Sequence, residues 1–132
     1  MNKIIIASGP VIVEDNKVLL VQHGDTEFWK FCGGRVEDFD DNLIESAKRE
    51  AREELSIEIE ILDENPFLLH TTKEAPEGKI DVILVHYLAK RIGEITPGED
   101  IWEWKWIALE NLKNENLAPN ILPTLKHFEF IK

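Results

Sequence analysis

The sequence lacks the features that mark several classes of protein. Its single cysteine, Cys32, excludes an intrachain disulfide and a zinc site built from several thiolates. No apolar run approaches the ~18 residues that a membrane span needs. The short apolar stretch at the N-terminus is not followed by the small-residue cleavage site of a signal peptide. We therefore expect a cytoplasmic protein with no membrane partner.

Positive charge is also scarce. The chain has 15 basic and 26 acidic residues and a net charge of −11. Such a surface repels a phosphate backbone, so stable nucleic-acid binding is not expected. A small phosphate-bearing substrate is compatible with this charge, because a local group of carboxylates can recruit a metal ion that attracts phosphate. The 132 residues, 43% hydrophobic and 31% charged, predict one globular domain over residues 1–132.

Apolar segments rich in Val and Ile predict strands, and apolar residues three and four apart predict helices. The predicted strands are Ile4–Val13, Lys17–Gln22, Ile57–Leu62, Pro66–Thr72, Ile80–Ala89 and Glu103–Ala108, with the first two forming a β-hairpin. The predicted helices are Asp41–Leu55, Leu109–Lys113 and Ile121–Phe130, with Pro123 in the first turn of the last. This order predicts an α+β fold, an α/β/α sandwich with a mixed β-sheet between helices.

The helix predicted at Asp41–Leu55 carries acidic residues along one edge. Either Asp40 or Asp41 is a suitable N-cap. Glu50, Glu53 and Glu54 share about 100° of arc, and this arc borders the buried stripe, which consists of Leu43, Ile44, Ala47, Ala51 and Leu55. Three carboxylates at a half-buried edge repel one another, and a divalent cation relieves that repulsion. The alternative is an ordinary solvated helix face.

The segment around this helix resembles the Nudix box. That signature reads Gly, five residues, Glu, seven residues, Arg-Glu, an aliphatic residue, any residue, Glu-Glu, any residue, Gly and an aliphatic residue. The matching positions are Arg49, Glu50, Ala51, Glu53, Glu54 and Ile57, and the segment Trp29–Gly34 resembles the one that usually precedes the box.

Three features depart from the signature. Six residues, not five, separate Gly34 from Asp41. Asp41 replaces the first glutamate, with Asp40 as the alternative for that place. Ser56 replaces the glycine that normally ends the helix in the left-handed conformation. The Arg-Glu and Glu-Glu core is intact, so we expect an active enzyme.

The resemblance implies a MutT-like Nudix hydrolase that uses Mg²⁺ or Mn²⁺ to hydrolyse a nucleoside diphosphate linked to another moiety. It implies metal ligands at Glu50, Glu53, Glu54 and the backbone of Gly34, with Gly33 as an alternative carbonyl. It implies catalytic roles for Arg49, Glu50, Glu53 and Glu103, and substrate contacts from Trp29, Gly33, Gly34 and Arg35.

Several assignments stay open at this point. Arg49 either orients Glu50 or pairs on the surface with Glu45 or Glu53. The general base is a box glutamate or a later acid: Glu99, Asp100 or Glu103.

The aromatic residues and histidines have alternative interpretations too. Trp102, Trp104 and Trp106 alternate, which predicts one shared strand face, and large aromatics on a common face are more often core than base-stacking groups. The four histidines, His23, His70, His86 and His127, lack metal-ligand spacing and are interpreted as structural.

The expected substrate is a nucleoside triphosphate or a related small nucleotide. The alternatives are ADP-ribose or another nucleotide sugar, and a dinucleoside polyphosphate. A hypothesis of a different class is a non-catalytic nucleotide-binding module on the same fold. Both a monomer and a homodimer are compatible with the sequence.

Overall fold

The structure, a computed structural model, describes residues 3–24 and 27–132. Its strands are β1 (Ile4–Val11), β2 (Val13–Glu14), β3 (Lys17–His23), β4 (Gly34–Arg35), β5 (Glu58–Ile61), β6 (Phe67–Ala75), β7 (Gly78–Ile92) and β8 (Ile101–Ala108). Its helices are α1 (Leu43–Leu55), a 3-10 helix (Leu109–Asn114) and α2 (Ile121–His127). None of the helices in the described part of the chain is long and apolar enough to cross a membrane.

The strands form two sheets, one of them mixed. In the five-stranded sheet, β7 lies parallel to β1 and antiparallel to β5 and β6, and β4 pairs with the outer edge of β1. The three-stranded sheet has the order β2-β3-β8. The prediction of a hairpin between Ile4–Val13 and Lys17–Gln22 is therefore wrong for most of its length. Only Val13 and Glu14 pair with β3, because the chain leaves the first sheet after Val11 and β1 takes β7 as its parallel partner.

Helices lie on both sides of the sheets, which confirms the predicted sandwich. Alternate residues of β3 point to opposite faces. Leu19 and Val21 belong to an apolar cluster with the buried face of α1, whereas Val18 and Leu20 belong to a second cluster with α2. The α1 cluster includes Ala47, Ala51 and Leu55, and the α2 cluster includes Ile121 and Leu125.

Helix α1 begins two residues later than predicted. The side chain of Asn42 accepts a hydrogen bond from the Glu45 amide at 2.9 Å, so Asn42 is the N-cap, in place of Asp40 or Asp41. At the other end Ser56 adopts the left-handed conformation, with φ 60° and ψ 30°, that glycine normally provides. The Ser56 hydroxyl donates to the Thr96 carbonyl at 2.9 Å, which helps to hold this conformation.

The three tryptophans of β8 do not share one face as predicted. The register of β3 against β8 shifts between Gln22 and His23, so that Trp102 is skipped in the pairing. Trp104 and Trp106 pack against the α1 cluster, whereas Trp102 is 66% exposed. The core interpretation is therefore confirmed for Trp104 and Trp106 and wrong for Trp102.

The capping assignment predicts unequal effects of two neighbouring substitutions. Asn42→Ala removes the side-chain bond to the Glu45 amide and should lower the free energy of unfolding by about 1 kcal/mol. Asp41→Ala is the matched control, because Asp41 is exposed and does not cap the helix. Urea denaturation of both variants measures the difference, and equal destabilisation would contradict the assignment of the cap.

Candidate active site

The guanidinium of Arg49 lies at the centre of a hydrogen-bonded group on α1. Its Nε and Nη2 donate to the two carboxylate oxygens of Asp40 at 2.9 and 3.0 Å. Its Nη1 donates to Glu50 Oε1 and to Glu53 Oε2, each at 3.0 Å. Its Nη2 also donates to the Arg35 carbonyl at 3.0 Å. Arg49 therefore fixes two box glutamates relative to the loop that precedes the helix.

The two roles considered for Arg49 are both present. The same nitrogen, Nη1, contacts Glu50 and Glu53, so orientation of Glu50 and pairing with Glu53 occur together. Glu45 is not its partner, since its carboxylate lies 3.6 Å from Lys48 Nζ.

Asp40, not Asp41, occupies the place of the first box acid. Besides Arg49, the Asp40 carboxylate accepts hydrogen bonds from Ser46 Oγ at 2.7 Å and from the Glu37 amide at 2.9 Å. Its side chain is 4% exposed, whereas Asp41 lies on the surface. Five residues separate Gly34 from Asp40, as in the signature, so the extra residue lies between Asp40 and Arg49.

The glycine pair lies directly against Glu50. A Cβ atom on Gly34 would be 2.6 Å from Glu50 Oε1, so any larger residue would displace this carboxylate. Gly33 has φ 154°, and a Cβ there would lie 2.8 Å from the Ser8 carbonyl oxygen. Glu50 itself is 8% exposed. Burial, reinforced by the neighbouring carboxylates of Glu54 and Glu53 against the opposing effect of Arg49, raises the pKa of Glu50 to about 7.

Glu54 connects the helix to two other elements. Its Oε2 lies 2.9 Å from His23 Nε2, at the end of β3, and its Oε1 accepts a hydrogen bond from the Gly33 amide at 3.1 Å. The sequence pattern predicts only a structural role for His23. Its contact with Glu54 joins residues 31 positions apart, and no local pattern indicates such a pairing.

The later acids divide into two groups. The Gly98 amide donates to the Glu54 carbonyl at 2.8 Å, which packs the loop before β8 onto the end of α1. Glu99 and Asp100 follow and line a polar pocket together with His23. Glu103 is exposed and lies opposite Gln22 in the β3–β8 ladder.

The pleat of β8 bears on the choice among these acids. Trp104 packs against the cluster that contains α1, so its neighbour Glu103 points to the opposite face. The geometry therefore favours Glu99 and Asp100 over Glu103 as acids beside the box.

A cavity of about 350 Å³ lies on the other side of the glycine pair. Its floor is the face of the five-stranded sheet that points away from α1. The lining is largely apolar, a composition typical of small-molecule sites, and includes Ala7, Phe28, Phe31, Gly33, Gly34, Thr71, Val82, Leu84, His86 and Asn120.

The predicted substrate-binding residues are only partly brought to this cavity. Gly33 and Gly34 line it. Trp29 is 7% exposed and belongs to the α2 cluster, where Lys105 Nζ lies 4.7 Å from its ring centre. Arg35 is exposed and contributes its carbonyl to Arg49. The aromatic residues that line the cavity, Phe28 and Phe31, are sequence neighbours of Trp29 that no periodicity singled out.

The three glutamates predicted as metal ligands lie within about one turn of α1, near Gly34 of β4, but they are engaged by protein groups. Within residues 3–24 and 27–132, no three His, Cys, Asp or Glu side chains converge as closely as the ligands of a metal ion do. Arg49 bonds Glu50 and Glu53, while His23 bonds Glu54. The donor set nevertheless fits a hard cation, because it consists of carboxylate oxygens. The pKa of Glu50 is raised first by burial and then by repulsion from Glu54 and Glu53, and such a cation would relieve the repulsion.

Comparison with known proteins identifies the family. A family model described as the NUDIX domain matches residues 5–128. The ORF135 protein of E. coli, known from a solution structure, is 27% identical, aligns over 96% of this chain and 89% of its own, and has a TM-score of 0.69. A MutT NUDIX hydrolase from Burkholderia pseudomallei is 24% identical over 95% of this chain and 98% of its own, with a TM-score of 0.76.

A further similar structure is an ADP-ribose pyrophosphatase from Streptococcus suis, 22% identical over 92% of this chain and 87% of its own, with a TM-score of 0.67. No curated protein sequence matches the chain significantly. The chain belongs to the Nudix family and is a Nudix-type pyrophosphohydrolase, as its sequence predicted. Nudix hydrolases generally depend on a divalent metal and act on small nucleotide substrates.

The bonds of Asp40 predict that its contribution to stability depends on pH. The Arg49 guanidinium holds the pKa of this carboxyl well below its usual value of 3.8. The contribution is therefore present above that value and is lost as the pH falls below it. Asp40→Asn should lower the free energy of unfolding by about 2 kcal/mol at pH 7, and the deficit should shrink towards pH 3. Asp41→Asn is the control, and a similar deficit in that variant would contradict the assignment.

Glu50 predicts the opposite dependence. Since its folded-state pKa is about 7 and its ordinary value 4.5, its ionisation destabilises the fold increasingly as the pH rises between those values. With a chelator present, Glu50→Gln should match the wild type at pH 5 and exceed its free energy of unfolding by about 2 kcal/mol at pH 8. Glu45→Gln serves as the control on the exposed side of the helix. If the stability gained by Glu50→Gln does not grow with pH, the pKa of Glu50 is not raised in the folded protein.

Proposed function

We propose that this chain, as one Nudix domain over residues 1–132, hydrolyses the diphosphate linkage of a nucleoside triphosphate or a related small nucleotide with Mg²⁺ or Mn²⁺. The observation that carries the proposal is the position of Gly33–Gly34. One side of this pair lines the cavity, and the other side lies against the Glu50 carboxylate. A nucleotide with its base in the cavity would extend its phosphates across the glycines towards the carboxylates of α1.

Glu50, Glu53 and Glu54 would hold the cation, with the backbone carbonyl of Gly34 as a further ligand. Such a cation neutralises the charge on the phosphate oxygens and lowers the pKa of a bound water molecule. Glu53 is the most exposed of the three, with a side chain 58% accessible, while Glu54 is 11% accessible. Only Glu53 thus combines contact with Arg49 and open access to solvent.

The remaining roles in the proposed reaction are positioning of the carboxylates and acceptance of a proton from water. Arg49 is a positioning residue, which sets the carboxylates of Glu50 and Glu53 while Asp40 anchors its guanidinium. We propose Glu53, with Glu50 as the alternative, as the group that accepts the proton of the attacking water. A carboxylate that reaches solvent beside the phosphate path meets the geometric demand on a general base.

The proposed substrate is a nucleoside triphosphate. The alternatives are ADP-ribose or another nucleotide sugar, and a dinucleoside polyphosphate. A cavity of about 350 Å³ is at the small end of ligand sites and supports a substrate with one base. We also propose that the protein acts in the cytoplasm as a monomer or homodimer without stable nucleic-acid binding. The net charge of −11 supports the last point.

The decisive test compares two glutamates on a nucleotide panel with Mg²⁺. Glu53→Gln removes a proposed ligand and base, and should lower turnover by at least about 100-fold. Glu60→Gln, on the exposed face of β5, should leave turnover unchanged. Product release is followed by chromatography, so that cleavage within a diphosphate is distinguished from loss of a terminal phosphate.

Equal turnover in Glu53→Gln and the wild type would contradict the catalytic assignment. Tight nucleotide binding by the wild type without turnover of any panel member would instead indicate a non-catalytic binding module.

A further inference from the structure

His86 is a buried polar residue in the floor of the cavity. It lies on β7, is 6% exposed, and lines the cavity together with Leu84, two positions earlier on the same face. Its imidazole packs on Phe31, with ring centres 4.8 Å apart. No pattern in the sequence separates His86 from the other histidines.

The imidazole of His86 borders the cavity, and its nitrogens have no protein partner in the described part of the chain. Across residues 3–24 and 27–132, no hydrogen bond joins this ring to another protein group, although every fully enclosed side-chain nitrogen or oxygen there has a partner. The ring nitrogens are therefore not fully enclosed, and the residue borders the cavity, so a molecule in the cavity lies beside the ring. A polar group in such an apolar setting is stabilised by a ligand that completes its hydrogen bonds.

The protonation state of His86 restricts what that ligand is. Burial lowers the pKa of His86 to about 4, so the ring is uncharged at neutral pH. A neutral imidazole presents one N–H donor and one lone-pair acceptor. It therefore suits an uncharged group with both an acceptor and a donor, and it offers no positive charge to a phosphate.

We propose that His86 selects the base of the substrate by hydrogen bonding to the edge of a nucleobase that occupies the cavity. This inference rests on the proposed function. The cavity places His86 on its floor and Gly33–Gly34 at its border with Glu50, so a base on the floor leaves the phosphates at the glycines. Phe28 and Phe31 supply apolar surface for a planar ring.

The first test measures kcat/KM for nucleoside triphosphates that differ only in the base. His86→Leu removes both ring nitrogens and should lower kcat/KM for the preferred base by at least about 10-fold, with smaller changes for the others. His86→Gln, which retains a donor and an acceptor, should recover part of the preference. His70→Leu is the matched control, because His70 lies on the exposed face of β6 and pairs with Asp81 at 2.8 Å.

A second measurement separates base selection from a structural role. The ¹⁵N resonances of the His86 ring are followed at pH 7 without metal, during titration with the preferred nucleoside and, separately, with ribose 5-phosphate. A shift with the nucleoside but not with ribose 5-phosphate supports the proposal. This measurement uses the wild-type protein, so a loss of stability in a variant does not affect it. Equal shifts with both ligands, no shift with either, or a loss of kcat/KM shared evenly by all bases would overturn it.

The two measurements also distinguish this inference from the proposed function. A protein that shows the nucleoside shift but hydrolyses no nucleotide overturns the proposed hydrolysis and leaves base recognition standing. A protein that hydrolyses nucleotides with a base preference unaffected by His86→Leu overturns this inference alone.

Discussion

The pairing of Arg49 with Asp40 is the interaction on which the site depends. It joins the loop after the glycine pair to the middle of α1 through two hydrogen bonds, one to each carboxylate oxygen. A bidentate pair of this kind fixes direction as well as distance. The guanidinium then has one nitrogen left to set both Glu50 and Glu53. Without Asp40, the charge of Arg49 would be shared among the two box glutamates and a carbonyl, and their directions would be less defined.

The site also contains a buried carboxylate and repulsion between neighbouring carboxylates, both of which oppose folding. Glu50 is buried against Gly34, and this burial, together with the neighbouring carboxylates of Glu54 and Glu53, favours its protonated form. Arg49 offsets part of this repulsion, and His23 engages the third carboxylate, that of Glu54. Functional sites commonly concentrate such perturbed groups, because a ligand that relieves the repulsion gains the corresponding binding energy. The apolar clusters on both sides of the sheets supply the stability that offsets it.

Local patterns in the sequence predicted much of this structure and missed what depends on distant contacts. The stripe and acidic edge of α1 follow from helical spacing, and the box follows from Arg49 and its neighbouring glutamates. Whether Asp40 or Asp41 takes the place of the first box acid depends on the residue at which α1 begins. A shift of the N-cap from Asn42 by one residue would change that assignment. The contact of His23 with Glu54, the cavity position of His86 and the pairing of β1 with β7 each join segments far apart in sequence, which no periodicity reports.

The parallel pairing of β1 with β7 has a consequence for how the protein is made. Ile4 lies opposite Asp81 and Val11 opposite Leu88, so the two strands are separated by most of the chain. During synthesis the two-residue strand β4 is the only partner available to β1, among the described strands, until β7 has left the ribosome. Most of β1 therefore stays unpaired over that interval. Contacts of such long sequence separation also slow folding. The cavity floor needs both strands, so it cannot form until β7 has been made, and the residues of α1 are made before that point.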